Sequence, residues 1–141
     1  MKMKTILVIV IVIIASYFVY TFINYDISIK INYGVNVPKI TNSIYHYCNS
    51  GRDVSCYDVV KYKGKNLKKI KILKWDGNLE YEQNQEKIKW FFDNYKLPIK
   101  YFPTYNKESL YYLKTFDNKQ DSLLIIYNTK TKVTYIFEYH I

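Results

Sequence analysis

Ser122-Leu-Leu-Ile-Ile-Tyr127 and Val133-Thr-Tyr-Ile-Phe-Glu-Tyr139 flank the five polar residues Asn128-Thr-Lys-Thr-Lys132. Two short runs rich in β-branched and aromatic side chains, separated by a polar turn, predict a β-hairpin. Upstream, Ser109-Leu-Tyr-Tyr-Leu-Lys-Thr-Phe116 reads as a further strand. Before it, Ile88, Phe91, Phe92 and Tyr95 fall at i, i+3, i+4 and i+7, the spacing of an apolar helix stripe. Glu82, Glu86, Lys87, Lys89 and Asp93 lie off that stripe. The helix is predicted from about Leu79 to Tyr95, with Asn78 as N-cap and Leu97-Pro98 as its stop. Strands on both sides of one amphipathic helix predict an α+β domain with a mostly antiparallel sheet.

Nearer the N-terminus the strand signals continue. Ser43-Ile-Tyr-His-Tyr-Cys48 is a strand candidate. Val54–Lys63 and Leu67–Trp75 bracket Lys63-Gly-Lys-Asn66 and are expected to pair as a hairpin. Ile27, Ile29, Ile31 and Tyr33 alternate with Ser28, Lys30 and Asn32, which reads as another strand.

The first 25 residues differ from the rest. Lys2 and Lys4 precede a stretch, Thr5–Tyr25, that holds no charge and has Ile6-Leu-Val-Ile-Val-Ile-Val-Ile-Ile14 at its centre. As a helix, those 21 residues reach roughly 31 Å, the thickness of a bilayer's hydrocarbon core. A cleaved signal peptide has a shorter apolar region and a small-x-small site. Here Ala15-Ser16 is followed by bulky Tyr17 and Phe18, and no Cys stands nearby to carry a lipid. Tyr17, Tyr20, Phe22 and Tyr25 fit an interfacial aromatic belt. The expectation is an N-terminal transmembrane helix over 1–25, in contact with lipid over 5–25, followed by one domain over 26–141. Lys2 and Lys4 against sparse charge after Tyr25 place the N-terminus in the cytoplasm and residues 26–141 outside.

The chain is basic, with 21 Lys and Arg against 12 Asp and Glu. All the acids, and all the basic residues but Lys2 and Lys4, lie beyond Tyr25, which leaves 19 against 12, or +7, on the outer segment. Lys61, Lys63, Lys65, Lys68, Lys69, Lys71 and Lys74 stand together with no acid among them. Outside a membrane such a cluster faces anionic lipid or wall polymer; its alternative is an ordinary solvated face. Nucleic acid is not an expected partner in that compartment. The 17 Tyr, beside many Asn, Lys and Ile, reflect an AT-rich coding composition rather than a specialised aromatic surface.

Cys48 and Cys56 are the only cysteines. An even count in an extracytoplasmic domain favours a disulfide, with two buried thiols as the alternative. A redox-active pair prefers Cys-x-x-Cys spacing and a helix N-terminus, and neither is present. Zinc would need four ligands, and only His46 and His140 could join the cysteines. His46 shares a strand face with Ile44 and Cys48 and is expected to be structural; His140 is expected to fray. Nucleophile elbows, phosphate loops and His-Glu-x-x-His are absent from the sequence. The acids are scattered singly. No catalytic, cofactor or metal residue is therefore assigned, and the chain is not expected to be an enzyme.

The helix ending in Lys96-Leu-Pro98, the Tyr-rich strand after it, and Asp121–Tyr139 together resemble a family of small uncharacterised membrane-anchored proteins of Gram-positive bacteria. Val35-Asn-Val-Pro38 is similar to a Val-Pro element near the start of that domain. The resemblance spans 33–141. Asn49-Ser-Gly-Arg-Asp53 departs from the Gly/His/Asp-rich stretch of many members. The resemblance implies an envelope location and this architecture, and no chemistry. Two function classes follow: an anchored module whose outer domain binds a protein or an anionic polymer, or a self-protection protein that blocks a toxin or bacteriocin. An envelope enzyme is a third, weaker reading.

Overall fold

The computed structural model describes residues 3–23, 29–30, 32–40, 42–50, 54–62, 81–104, 108–115 and 121–140. They divide into two compact units, Met1–Ile40 and Thr41–Ile141.

In the first unit, α1 runs Met3–Ile23, 21 residues. The nine residues Ile6–Ile14 are each 45–62% exposed. At 100° per residue, nine positions cover the whole circumference, so along Ile6–Ile14 the helix is apolar and exposed on every side. Side chains of α1 are described at 6–17 and 19, and among these described residues no helix is long and apolar enough to cross a membrane.

The strand expected over Ile27–Tyr33 is overturned: residues 29–30 and 32–33 are helical. Ile29 and Tyr33 are buried, and Lys30 and Asn32 are exposed. A spacing of four satisfies both a strand face and a helix face, so the alternation could not separate them. The deciding residue is Gly34. Its amide donates to Lys30 O at 2.9 Å, and its φ of 65° is the left-handed cap that glycine adopts without a steric cost.

Among the described residues, the second unit is a five-stranded antiparallel sheet with one long helix. Its strands are β1 (Ser43–Cys48), β2 (Cys56–Lys61), β3 (Leu110–Thr115), β4 (Ser122–Tyr127) and β5 (Val133–Tyr139). Their order across the sheet is β1-β2-β5-β4-β3. The expected C-terminal hairpin is β4–β5, with Tyr127 opposite Thr134. Its turn is organised by Asn128, whose Oδ1 accepts from the amides of Lys130 and Thr131, while Lys132 takes a φ of 60°.

The expected pairing of Val54–Lys63 with Leu67–Trp75 is corrected. Over Cys56–Lys61, β2 bonds β5 along one edge, and over Cys56–Val60 it meets β1 along the other. A strand has two edges, so none is left for a third partner. The second arm, its turn and the Asn78 cap lie outside the described residues.

Tyr81–Tyr95 forms α2. Ile88, Phe91 and Phe92 are buried, and Glu86, Lys87, Lys89 and Asp93 are exposed, as the stripe requires. The helix packs on the sheet face made by Tyr57, Val59, Tyr111, Leu124, Ile126, Tyr135, Phe137 and Tyr139. Phe91 meets Phe137 at 5.7 Å and Tyr139 at 5.3 Å between ring centroids, both edge-on. Such aromatic pairs contribute about 0.5–1.5 kcal/mol beyond the area they bury.

The end of α2 is a Schellman motif. Leu97 N–H donates to Phe92 O at 3.0 Å, and Lys96 N–H to Asp93 O at 3.4 Å, with Lys96 at φ 52°. Leu97 and Phe92 then share the core.

A 3-10 turn at Ile99–Tyr101 follows. Tyrosine hydroxyls hold this turn and the segment beyond it. Tyr57 donates to Tyr101 O at 2.6 Å, and Tyr135 Oη lies 2.8 Å from Thr104 Oγ1. Burial pushes the Tyr57 hydroxyl far above its ordinary pKa, so it stays a donor. The abundant tyrosines thus fill the core with their rings and fasten a loop with their hydroxyls.

Candidate functional site

The sheet face opposite α2 carries the polar chemistry. Antiparallel register sets Cys48 opposite Cys56 and His46 opposite Asp58, and β5 adds Glu138 opposite Cys56. Directly paired residues share a face, so these five side chains form one group at the β1 side of the sheet.

Cys48 and Cys56 are joined in a disulfide, with 4.1 Å between their Cα atoms. The sequence expected this bond. The next pair, Asn49 and Ser55, is hydrogen-bonded, with Asn49 N–H to Ser55 O at 3.1 Å. Cys48–Cys56 is therefore a non-hydrogen-bonded pair, the closer kind, where Cα atoms stand about 4.5 Å apart. The Asn49 side chain closes the loop a second time, accepting from Ser55 N–H at 2.5 Å. On a chain-entropy basis a ring this short stabilises by about 2.5 kcal/mol.

His46 Nδ1 lies 2.9 Å from Asp58 Oδ1. The Asp58 side chain is 3% exposed and that of His46 53% exposed. The hydrogen bond to Asp58 raises the His46 pKa, burial opposes it, and the Asp58 and Glu138 charges add to the rise. With Nδ1–H donated to the carboxylate, Nε2 is directed elsewhere. It lies 3.7 Å from Cys48 Sγ. Cys48 is exposed, whereas Cys56 is 7% exposed.

His140 is held rather than frayed. Its Nδ1 is 3.0 Å from Asp121 Oδ1. Its main chain exchanges two bonds with Ser55: its amide donates to Oγ at 3.0 Å, and its carbonyl accepts from Oγ at 3.1 Å. Serine, histidine and aspartate meet here, but the hydroxyl bonds the backbone of His140, so the trio anchors the end of β5 and is no nucleophilic triad. Among the described residues, no cluster of three or more His, Cys, Asp and Glu is arranged to hold a metal ion.

Of the seven lysines, Lys61 is described; it is exposed at the end of β2, opposite Val133. Lys63, Lys65, Lys68, Lys69, Lys71 and Lys74 lie outside the described residues.

The sequence carries a signal for the His46–Asp58 pair, although His46 alone reads as structural. His46 stands two residues before Cys48, and Asp58 two after Cys56. Once the cysteines pair across antiparallel strands, the same register brings His46 to Asp58. Glu138 had no such signal, because its place depends on the long-range β2–β5 pairing. Comparison with family models, curated proteins and solved structures finds no match.

Proposed function

We propose that this is a single-pass membrane protein, anchored by α1, whose domain outside the membrane is a binding module at the cell envelope. One observation carries the reading. Alpha1 is 21 residues long and presents large apolar side chains around its whole circumference, each about half exposed. A helix apolar on all sides needs apolar surroundings on all sides. A bilayer supplies them, and 21 residues match its core.

The disulfide supports the orientation, because such bonds persist in oxidising compartments and are rare in the cytosol. The cytoplasmic side then holds Lys2 and Lys4, and the Lys61–Lys74 cluster faces anionic lipid or wall polymer. The test is fractionation followed by external protease. The full chain should stay in the membrane through salt and carbonate washes, and protease added to intact protoplasts should digest residues 26–141. A soluble, shortened chain would mean a cleaved signal, and a protected domain would mean the reverse orientation.

A further inference from the structure

The two sulfurs of the disulfide sit in opposite environments. Cys48 is exposed on β1, and the His46 imidazole is 3.7 Å from its sulfur. Cys56 is buried on β2 and stands directly across the ladder from Glu138, which is also buried. We propose that Cys48–Cys56 is an exchangeable thiol–disulfide pair, with Cys48 the attacking sulfur, Cys56 the resolving sulfur, and His46, oriented by Asp58, the group that activates Cys48.

The chemistry follows from the placement. In the reduced chain an imidazolium beside Cys48 favours its thiolate, the nucleophilic form. The thiolate attacks one sulfur of an accessible disulfide R–S–S–R′. A Cys48–S–S–R bond forms, the R–S–S–R′ bond breaks, and R′S⁻ leaves, taking the proton from His46 Nε2. The Cys56 thiol then gives up its proton to the freed imidazole and attacks the Cys48 sulfur. The Cys48–Cys56 bond forms and RS⁻ leaves, protonated in turn. The chain loses two electrons and the target disulfide gains them, yielding RSH and R′SH. Run backwards, the oxidised pair accepts two electrons from a dithiol.

Among the described strand residues, the titratable groups on this face nearest the disulfide are His46 on β1, Asp58 on β2 and Glu138 on β5; Tyr112 and Lys114 on β3 and Tyr127 on β4 share the face farther across the sheet. Asp58 and Glu138 both favour the imidazolium. The carboxylate facing Cys56, together with burial, disfavours a second thiolate there. The asymmetry lets one sulfur attack while the other waits. Cys-x-x-Cys proteins reach a reactive thiol with a helix N-terminus; here a histidine two residues before Cys48 on the same strand supplies the charge.

The experiment uses the full chain, reduced with a phosphine and held in neutral detergent. Each thiol is alkylated with iodoacetamide from pH 5 to 10, and the two sites are resolved by peptide mass spectrometry. Cys48 should react at least about tenfold faster than Cys56 at pH 6.5, with an apparent pKa below the ordinary 8.5 or so. His46→Asn keeps a donor toward Asp58 but places nothing beside the sulfur. It should slow Cys48 about tenfold at pH 6.5 and shift its profile to that of a free thiol. Cys56→Ser should accumulate a mixed disulfide with glutathione disulfide at Cys48. Equal rates at both cysteines with ordinary pH dependence, including any caused by loss of fold on reduction, would overturn the proposal. So would an unchanged profile in His46→Asn. The wild-type comparison decides the matter even if a variant does not fold.

Discussion

His46 and Asp58 form a pH-dependent contact whose sign can be worked out. The folded-state pKa of His46 lies above its ordinary 6.5 because Asp58 accepts its hydrogen bond. The stability this contributes is fully present below the unfolded pKa, near 6.5, and is lost as pH rises through the higher folded value. Asn at position 46 offers a donor that does not titrate. Denaturant melts of the wild type and His46→Asn should therefore differ most near pH 6 and converge toward pH 8.5. The pH-dependent part should be about 1 kcal/mol, because half of His46 is in water and screened. A difference that widens with pH would mean the imidazole is folded in neutral.

At the scale of elements, the α2 cap makes a sharper prediction. Lys96 occupies the left-handed position that glycine takes without strain, at φ 52°. A residue with a Cβ there is disfavoured by about 1 kcal/mol. Lys96→Gly should raise the unfolding free energy by roughly 0.5–1 kcal/mol, read from the denaturant midpoint at unchanged slope. A loss of stability would show that the Lys96 side chain contributes more than its backbone costs. Elements whose signal is local were legible in the sequence. Beta1, β4 and β5 fall where their alternating or β-branched runs place them, and the Ile88–Phe91–Phe92 stripe faces the sheet. Patterns that two structures share were not legible. Ile29 and Tyr33 fit a strand face and a helix face equally, and only Gly34 separates them. Pairing was the other loss. Val54–Lys63 has the local pattern of one hairpin arm, but β2 takes β1 and the distant β5 instead. Nothing in a window of ten residues encodes a contact with residues 133–138. The His46–Asp58 pair lay between these cases, since it follows from the two cysteines once their strands are antiparallel.

For the whole molecule the unbalanced charge is the property left to use. The chain carries +9, and seven lysines lie between Lys61 and Lys74. The hairpin expected to carry those lysines is one β2 cannot join, since β1 and β5 take its two edges, so the case for a partner rests on charge density alone. Density still makes a quantitative claim. A lysine near an anionic surface gains on the order of 1 kcal/mol. Replacing Lys68, Lys69 and Lys71 with Gln should then weaken binding to an anionic polymer by about a hundredfold. Attraction of this kind acts through water and is screened. The screening length falls from about 10 Å at 0.1 M salt to about 3 Å at 1 M. The full chain, held in neutral detergent, should co-sediment with purified cell walls at 0.05 M salt and be released at 1 M. Removing anionic polymer from the walls should have the same effect as salt. Binding that survives 1 M salt, or that the triple substitution leaves unchanged, would rule out the polyanion partner. The lysines would then be solubilising charge on a domain that meets a specific protein through its uncharged surface.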